Sequence, residues 1–343
     1  MNELLTYRIL KSLLKLLITG GLGFIGSFIA RNLVKDNVVD KIVLLDHFGR
    51  YVDSTHGEFL DYRKFRTQGI EDRIIIERGE ARYFSVISNI MGKYRPELIY
   101  HLAALPLAKL PNLISDEAIE GCITSTSNLL EIAGIMKKKD GYEPKRFVYA
   151  SSSMVYGDFL KSPADEEHPT KPKEIYGTMK LAGEQVTNGL SRYFGIKSSI
   201  IRPSAVYGPT DMNRRVSQIF LENAIKKQKI LIQGVDEKLD FSYVKDVAKG
   251  FVLVSTHEDA IGETFNITCG NAHTLLDFAM ILEKHFPSLE YEIKDRDVFR
   301  PQRGTLSIEK AKTLVGYQPD YDLEKGIDEY IEFVKENNPN LFL

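Results

Sequence analysis

Short apolar runs alternate with longer amphipathic segments along residues 15–202. The apolar runs predict strands at residues 15–19, 41–45, 73–77, 98–102, 146–150 and 198–202. Behind the first run, Ile25, Ile29 and Leu33 recur at helical spacing and predict a helix. Further helices are predicted at residues 83–93, 115–139 and from Tyr176 onwards. Because strands alternate with helices, we expect an α/β fold with a doubly wound parallel sheet, whose ligands bind at the carboxyl ends of the strands.

The pattern changes from Pro203 onwards, where shorter elements are separated by proline and glycine. Here the sequence predicts a strand at 230–233 and helices at 215–227, 245–255, 275–285, 308–315 and 323–334. We expect these elements to form a second, smaller α/β lobe. The predicted division is therefore an N-terminal extension at 1–14, a main domain at 15–202 and a C-terminal lobe at 203–343.

Composition and charge narrow the class of protein. Of 343 residues, 43% are hydrophobic and 27% charged, as in soluble globular proteins, and a net charge of −2 gives no basic excess for nucleic acid. The two cysteines, Cys122 and Cys269, lack metal-ligand spacing, so we expect no metal, no disulfide and a reducing cytoplasm. Residues 1–14 have no small-residue cleavage site and are too short and charged to span a membrane, so neither a signal peptide nor a membrane anchor is predicted.

A glycine-rich turn joins the first predicted strand to the first helix. Gly20, Gly23 and Gly26 let the backbone turn sharply and approach a pyrophosphate, which the free N–H groups of the helix N-terminus would bind. The next strand ends in Asp46, at the distance where an acid accepts a hydrogen bond from the ribose 2′-hydroxyl of NAD. These features predict NAD binding in preference to NADP, unless Arg50 reaches a 2′-phosphate instead.

Two further groups of residues predict oxidoreductive chemistry. Tyr176 and Lys180 are four residues apart and share one helix face, where the lysine cation can stabilise the phenolate of the tyrosine. The tyrosine can then exchange a proton with a substrate hydroxyl. Ser151, Ser152 and Ser153 end the fifth predicted strand, and a hydroxyl there can orient the reacting oxygen.

With these motifs together, the chain resembles the extended short-chain dehydrogenase/reductase family, which contains the nucleotide-sugar epimerases and dehydratases. The resemblance covers residues 16 to about 334. Its motifs are residues 19–26, Asp46, 101–104 (His-Leu-Ala-Ala), 151–157 (Ser-Ser-Ser-Met-Val-Tyr-Gly), Tyr176 with Lys180, 202–209 (Arg-Pro-Ser-Ala-Val-Tyr-Gly-Pro) and 240–248.

The resemblance implies roles for individual residues. Tyr176 would be the acid/base, Lys180 its partner and a ligand of the nicotinamide ribose, and Ser152 the catalytic serine. Glu80 takes the place of an adenine-contacting aspartate. The other implied cofactor contacts are Gly20, Gly23, Phe24, Ile25, Gly26, Asp46, Ala81, Leu102, Ala103, Ala104 and Pro203. The resemblance thus implies a Rossmann domain at 15–202 that binds NAD and carries the catalytic residues, with residues 203–343 mainly binding a nucleotide-diphosphate sugar.

The chain departs from the family pattern beside the catalytic serine. The 4,6-dehydratases of the family carry an Asp-Glu pair where this chain has Ser153 and Met154, and decarboxylating members carry a Glu at the position of Met154. Neither residue here can supply that proton chemistry. We therefore expect a 4-epimerase, in which C4 is oxidised and then reduced on its other face, with a C4 dehydrogenase that releases a keto-sugar as the alternative.

Contacts to the substrate diphosphate are less completely matched. Leu239 replaces an arginine that contacts the diphosphate in relatives, and Lys238 either substitutes for it or is a surface residue. Of the late arginines, Arg300 is preferred over Arg303 as a diphosphate ligand, while Arg215 is either a second anion contact or a solvated helix start. Ser153 is the remaining predicted substrate contact.

Two other classes of function are weighed against an enzyme acting on nucleotide sugars. A regulatory NAD-binding protein would typically lack Tyr176 or Lys180, and both are present. A steroid- or flavonoid-type reductase would have an apolar substrate, which the late arginines disfavour. The family resemblance also implies a homodimer formed through the helices around residues 115–139 and 176–194.

Overall fold

A computed structural model describes residues 14–37, 39–49, 61–104 and 115–338. The predicted N-terminal extension lies outside these residues except for Leu14, which begins the first strand. Arg50, the proposed competitor for a 2′-phosphate, also lies outside them.

The predicted strands and helices occur in the predicted order, with boundaries that differ by a few residues, and six short strands that were not predicted lie after residue 203. The strands are β1 Leu14–Thr19, β2 Val39–Asp46, β3 Ile74–Arg78, β4 Leu98–His101, β5 Arg146–Ala150, β6 Ser198–Pro203, β7 Val206–Tyr207, β8 Ile230–Gln233, β9 Lys238–Leu239, β10 Ser242–Tyr243, β11 Thr264–Ile267, β12 His273–Thr274 and β13 Tyr291–Lys294. The helices are α1 Phe24–Lys35, α2 Arg63–Thr67, α3 Phe84–Tyr94, α4 Ser115–Ile119, α5 Ser125–Asp140, α6 Ile175–Phe194, α7 Val216–Ile225, α8 Val244–Thr256, α9 Leu275–His285, α10 Glu309–Val315 and α11 Leu323–Asn337. A π-helical segment, Glu120–Thr124, joins α4 to α5.

The central sheet has seven parallel strands in the order β11-β6-β5-β4-β1-β2-β3. Its two faces are covered by different helices, since Leu16 and Ile18 of β1 pack into one apolar cluster with α1 and α8, while Leu17 packs into another with α3 and α5. Strands buried on both faces explain why the sequence shows continuous apolar runs instead of alternation. The predicted doubly wound α/β sheet is confirmed.

The second lobe has its own core. α7, β8, α9 and α11 contribute apolar residues to a separate cluster that includes Phe220, Ile230, Phe278 and Ile331. Three two-stranded pairings lie in or beside this lobe: β7 with β10, β9 with β12 and β8 with β13.

The chain does not leave the sheet for good at residue 203, so a single boundary at 202/203 is too simple. β11 pairs in parallel with β6 as the seventh strand, and α8 and α10 contribute residues to the apolar cluster beneath α1. The sequence analysis missed β11 because its four residues include the polar Asn266, which left no apolar run to detect.

Membrane-spanning helices and disulfide bonds can be assessed for the described residues only. Within them, no helix combines the length and apolar composition needed to cross a bilayer. Cys122 and Cys269 are both free thiols, as the sequence predicted.

A buried carboxylate attaches the late loop of the chain to the rest of the lobe. Asp240 Oδ2 accepts hydrogen bonds from the backbone N–H of Leu306 (3.1 Å) and the Thr268 hydroxyl (3.2 Å). Its Oδ1 accepts from the N–H groups of Cys269 (3.0 Å) and Gly270 (3.2 Å). Burial raises the pKa of Asp240 to about 6, so the carboxyl is still mostly ionised at neutral pH. All four of these hydrogen-bonding neighbours of the carboxylate are donors.

Replacing Asp240 by asparagine should therefore destabilise the fold, because an amide NH2 would face donors and leave buried N–H groups without acceptors. We expect Asp240→Asn to lower the free energy of unfolding at neutral pH by about 2 kcal/mol or more. Urea unfolding followed by circular dichroism measures the change. Asp236→Asn, at an exposed position in the preceding turn, is the matched control and should change little; equal stability of the two variants would contradict this role for Asp240.

Candidate active site

The carboxyl ends of β1 and β4 meet where the strand order of the sheet reverses, which is where open α/β sheets bind ligands. Gly20, directly after β1, has a φ of +69°, and a Cβ there would lie 3.1 Å from the backbone nitrogen of Ala103, directly after β4. Its N–H donates to the carbonyl of Leu45 in β2 (2.8 Å). The first glycine of the motif is thus needed both for its conformation and for close approach to the β4 loop.

The other two motif glycines bring the start of α1 against this turn. A Cβ on Gly23 would lie 2.9 Å from the carbonyl oxygen of Gly20, and one on Gly26 only 2.5 Å from it. The helix begins at Phe24, with no side-chain cap and no acidic residue in its first turn. Since first-turn N–H groups have no intrahelical acceptor, the turn forms a cradle that fits a pyrophosphate.

Asp46 lies at the end of β2, beside the glycine turn. Its carboxylate accepts from the N–H groups of Leu22 (3.1 Å) and Phe48 (2.9 Å). Burial opposes ionisation, but hydrogen bonds from His47, Phe48 and Leu22 outweigh it and lower the pKa of Asp46. The side chain is an ionised acceptor at the position predicted for a ribose contact.

The predicted adenine contact, Glu80, is already engaged. Its carboxylate ion-pairs with Arg82, which also pairs with Glu120 at the π-helical segment. Asn128 fixes the same turn by donating to the carbonyls of Ala81 (3.2 Å) and Arg82 (2.8 Å). A contact from Glu80 to adenine would compete with its ion pair to Arg82. The adenine contact stays a prediction.

A buried pair of side chains holds β1 and β4 together just below the cradle. The Thr19 side-chain oxygen is 2.7 Å from His101 Nδ1, and it accepts a hydrogen bond from the N–H of Ala103 (3.2 Å). This positions residues 102–104, all of them half-buried and predicted to line the cofactor. The sequence analysis used His101 only as part of a motif and missed its pairing with Thr19.

The protonation of His101 follows from its other neighbours. Burial, with a smaller contribution from Lys180, lowers the pKa of His101 to about 3, so the ring is neutral. Its Nε2 lies 3.1 Å from the hydroxyls of both Ser125 and Thr126, which donate their own protons to carbonyls of the π-helical segment. Nε2 must therefore carry the proton, and Nδ1 accepts from Thr19. His101 is a structural connector and not a proton donor to substrate.

The structure brings the three predicted catalytic residues to one place. Lys180 is buried, and its Nζ donates to the carbonyl of Ala150 at the end of β5 (2.7 Å) while lying 5.9 Å from the ring centre of Tyr176. A Cβ on Gly177 would lie 2.5 Å from the carbonyl of Met154, so the first turn of α6 touches the serine segment directly. Ser152 caps that segment by accepting from the N–H of Met154 (3.2 Å).

A buried ion pair connects α6 to the same strand ends. Arg202 donates from Nε and a terminal nitrogen to the two oxygens of Glu184 (2.8 and 2.6 Å), and Glu184 also accepts from the Ser151 hydroxyl. The other terminal nitrogen of Arg202 donates to the Tyr156 hydroxyl (3.0 Å), which donates to Asn266 of β11 (2.7 Å). The spacing of Glu184 from Tyr176 and Lys180 on one helix face could have suggested its inward position.

The remaining predicted residues fall around this centre. Ser153 and Met154 are buried beside Ser152, and Pro203 ends β6. Arg215, at the start of α7, is half-buried and donates to the carbonyl of Val206 in β7 (3.0 Å). Lys238, on β9, is exposed.

The two late arginines differ in a way that the sequence analysis did not foresee. The side chain of Arg300, the preferred residue, is 57% exposed and pairs loosely with Asp297 (3.5 Å). Arg303 has its Nε buried without a hydrogen-bond partner. A partly buried arginine whose Nε has no hydrogen-bond partner is the better candidate for an anion ligand, because a ligand could complete its hydrogen bonds. Among the described residues, no cluster of histidine, cysteine and acidic side chains could hold a metal ion.

Comparison with known proteins gives a consistent picture. The profile of the NAD-dependent epimerase/dehydratase family matches residues 16–268. The chain is 27% identical to UDP-glucuronate 4-epimerase 1 of Arabidopsis thaliana (93% of this chain, 76% of the relative) and 27% identical to a dTDP-glucose 4,6-dehydratase of Haemophilus influenzae (95% and 99%). The crystal structure of a UDP-glucuronic acid 4-epimerase from Bacillus cereus, with UDP-glucuronic acid and NAD, superposes with a TM-score of 0.82 at 26% identity (94% and 99%).

The glycine cradle gives a direct test of the cofactor site. Gly26→Ala would place a methyl group 2.5 Å from the Gly20 carbonyl, so the turn must open, and we expect the affinity for NAD to fall by about tenfold or more. Isothermal titration calorimetry measures the dissociation constant. Gly92→Ala, in α3 where a Cβ would contact nothing within 4 Å, should leave NAD binding unchanged; equal affinities in both variants would show that the cradle tolerates the methyl group.

Proposed function

The chain belongs to the NAD-dependent epimerase/dehydratase family, and we propose from this premise that it is a nucleotide-sugar 4-epimerase. The observation that carries the proposal is the environment of Ser152. Lys180 lies 5.9 Å from the ring centre of Tyr176 and donates to the carbonyl of Ala150, two residues before Ser152. The buried side chains that follow Ser152 are Ser153 and Met154. The site therefore has one proton-transfer group and no second acid–base pair.

The cofactor is NAD, and the residues present fit it. The pyrophosphate would bind at the Gly20–Gly26 turn and the first turn of α1, with the adenosine ribose at Asp46 and the nicotinamide end near Lys180. When bound, NAD supplies the acceptor and then the donor of the hydride exchanged at C4 of the sugar.

Each catalytic residue has a defined task in this proposal. Tyr176 takes the proton of the C4 hydroxyl as the C4 carbonyl forms, and returns it when the alcohol re-forms. Lys180, whose Nζ donates to the carbonyl of Ala150, would contact the nicotinamide ribose and place a positive charge near the reacting hydroxyl. The Ser152 hydroxyl, which accepts from Met154, keeps its proton available for the reacting oxygen.

Inversion at C4 requires the keto-sugar to present both faces to the same site. Proton and hydride are each removed once and returned once, so the reaction is balanced without an added oxidant. The nucleotide would stay bound to the second lobe while the sugar turns, with Arg215 and Arg300 as its charged contacts.

Elimination and decarboxylation need more than this site holds. Both act at C5 or C6 of the keto-sugar and require a second residue that takes or gives a proton there. The thioether of Met154 and the hydroxyl of Ser153 cannot do so at neutral pH. For this reason we favour epimerase relatives over dehydratase and decarboxylase relatives as guides to this chain.

Assembly as a homodimer in the cytoplasm is part of the same proposal. Ile119, Ile135 and Ile175, on α4, α5 and the start of α6, have exposed fractions of 40–50%. Covering these side chains in a dimer would stabilise the helices that carry Tyr176 and Lys180.

Removing the Tyr176 hydroxyl tests the assigned acid/base. Tyr176→Phe should abolish turnover, a loss of about 100-fold or more, because no other group can exchange the C4 proton. NAD binding should persist, as measured by calorimetry. Tyr193→Phe, at a hydroxyl exposed near the end of the same helix, is the control; unchanged activity in Tyr176→Phe would exclude Tyr176 as the base.

A panel of UDP-, GDP-, CDP- and dTDP-sugars, including uronic acids, tests the reaction itself. The protein is incubated with each sugar without added cofactor, and products are identified by NMR while absorbance follows reduced nicotinamide. We expect a C4-inverted sugar without lasting reduced cofactor. Reduced cofactor in proportion to enzyme, together with a keto-sugar, would instead establish a C4 dehydrogenase.

A further inference from the structure

Arg303 is unusual among the buried arginines of this protein. Its Nε is buried without a hydrogen-bond partner, and within residues 115–338 and the other described ranges its guanidinium makes no hydrogen bond or salt bridge. Arg82 and Arg146 also have an unpaired Nε. However, Arg82 pairs with Glu120, and Arg146 donates to the Ser199 hydroxyl (3.1 Å) and two carbonyls. Arg303 differs from both, because its guanidinium has no hydrogen-bond partner among the described residues.

The charge of Arg303 nevertheless persists at neutral pH. Burial lowers the pKa of Arg303 to about 10, and the nearby Arg300 acts in the same direction, while Glu174 and Glu237 favour the cation. Neither carboxylate lies within salt-bridge distance. A partly buried cation that is not compensated by hydrogen bonds costs free energy, which an anionic ligand would recover.

The backbone beside Arg303 is hydrogen-bonded to residues that directly follow the serine segment. Gln302 accepts from the N–H of Phe159 (2.8 Å) and donates to the carboxylate of Asp158 (2.7 Å), and these residues follow the serine segment 151–157. On the other side, Glu174 is the carboxylate that acts most strongly on Arg303, and it precedes Tyr176 by two residues. Arg303 thus lies next to the segment that follows residues 151–157 and close enough to Glu174, at the start of α6, to be influenced by its charge.

The position of C4 decides which anion Arg303 can reach. In a hexose bound for chemistry at C4, C5 and its substituent C6 are adjacent to the reacting carbon, whereas the diphosphate is attached at C1 across the ring. A residue beside Tyr176 is therefore nearer to C6 than to the diphosphate. The neighbouring Arg300 is more exposed and is the one expected at the diphosphate.

We propose that Arg303 binds a C6 carboxylate, and hence that the substrate is a nucleotide-linked hexuronate. The inference rests on the proposed 4-epimerase function and specifies its substrate class. A guanidinium recognises a carboxylate through two parallel N–H···O bonds, a geometry that a neutral CH2OH group cannot match. Because Ser153 and Met154 cannot assist loss of C6, the carboxylate is retained in the product.

Binding and turnover are compared with three probes: UDP, UDP-glucose and UDP-glucuronate. Calorimetry on the NAD-loaded protein gives dissociation constants without requiring turnover, and NMR gives kcat/KM for C4 inversion. We expect the wild-type protein to prefer the uronate. In Arg303→Met that preference should fall by about tenfold or more, with the affinity for UDP unchanged, and Arg303→Lys should restore part of it.

Two further variants separate this effect from general damage. Arg192→Met, an exposed position near the end of α6, should leave both the preference and the melting temperature unchanged. Arg300→Met should weaken the binding of UDP-glucose and of UDP-glucuronate by the same factor, because both carry the same diphosphate. Comparable melting temperatures of Arg303→Met and the wild type show that the variant is folded.

The outcomes distinguish the inference from the function on which it rests. Equal losses for both sugars in Arg303→Met would assign Arg303 to the diphosphate and overturn the inference, as would a wild-type protein without preference for the uronate. Binding with that preference but without C4 inversion would support the role of Arg303 and reject the 4-epimerase. Binding of neither sugar, together with no C4 inversion of any sugar in the panel of four nucleotides, would overturn both.

Discussion

The buried pair of Glu184 and Arg202 is the interaction on which the geometry of the active site depends. Both side chains are less than 10% exposed, and burying two charges costs several kcal/mol per ion unless their hydrogen bonds are satisfied. Here the pairing is bidentate, and the remaining positions are taken by Ser151 and Tyr156. Three elements converge on the pair, since Glu184 lies on α6, Arg202 on β6, and Ser151 directly after β5. The catalytic helix is thereby held at a fixed distance from the strand ends.

A second buried pair, Thr19 and His101, fixes the strand ends beside the glycine turn. Thr19 and His101 join β1 to β4 and leave the loop at Ala103 against Gly20. Because His101 stays neutral, this connection carries no charge that could compete with a bound pyrophosphate. Lys180 lies between the two regions, with its ammonium bonded to Ala150 and close enough to influence His101. Cofactor cradle and catalytic helix are therefore parts of one hydrogen-bonded framework at the carboxyl edge of the sheet.

The parts of this framework that sequence could predict are those with local signatures. The glycine turn, the acid at Asp46 and the Tyr176/Lys180 pair depend on residues close together in the chain, whose spacing alone defines the geometry. The Glu184–Arg202 and Thr19–His101 contacts join residues 18 and 82 positions apart, so no periodicity reveals them. β11 was missed for a similar reason, because its place is set by pairing with β6 and not by its own four residues. The choice between Arg300 and Arg303 also needed the structure, since burial and unused donors cannot be read from a run of five residues.

The same framework limits which reactions the site can perform. A keto-sugar held at Tyr176 is activated for proton loss at C5, and members of the family differ in whether a neighbouring side chain uses that activation. In this chain the neighbours are Ser153 and Met154, both buried and both without a titratable group. In the proposed reaction, the keto intermediate would therefore be either reduced at C4 or released, and the stereochemistry of a reduced product would depend on which face of the sugar is presented.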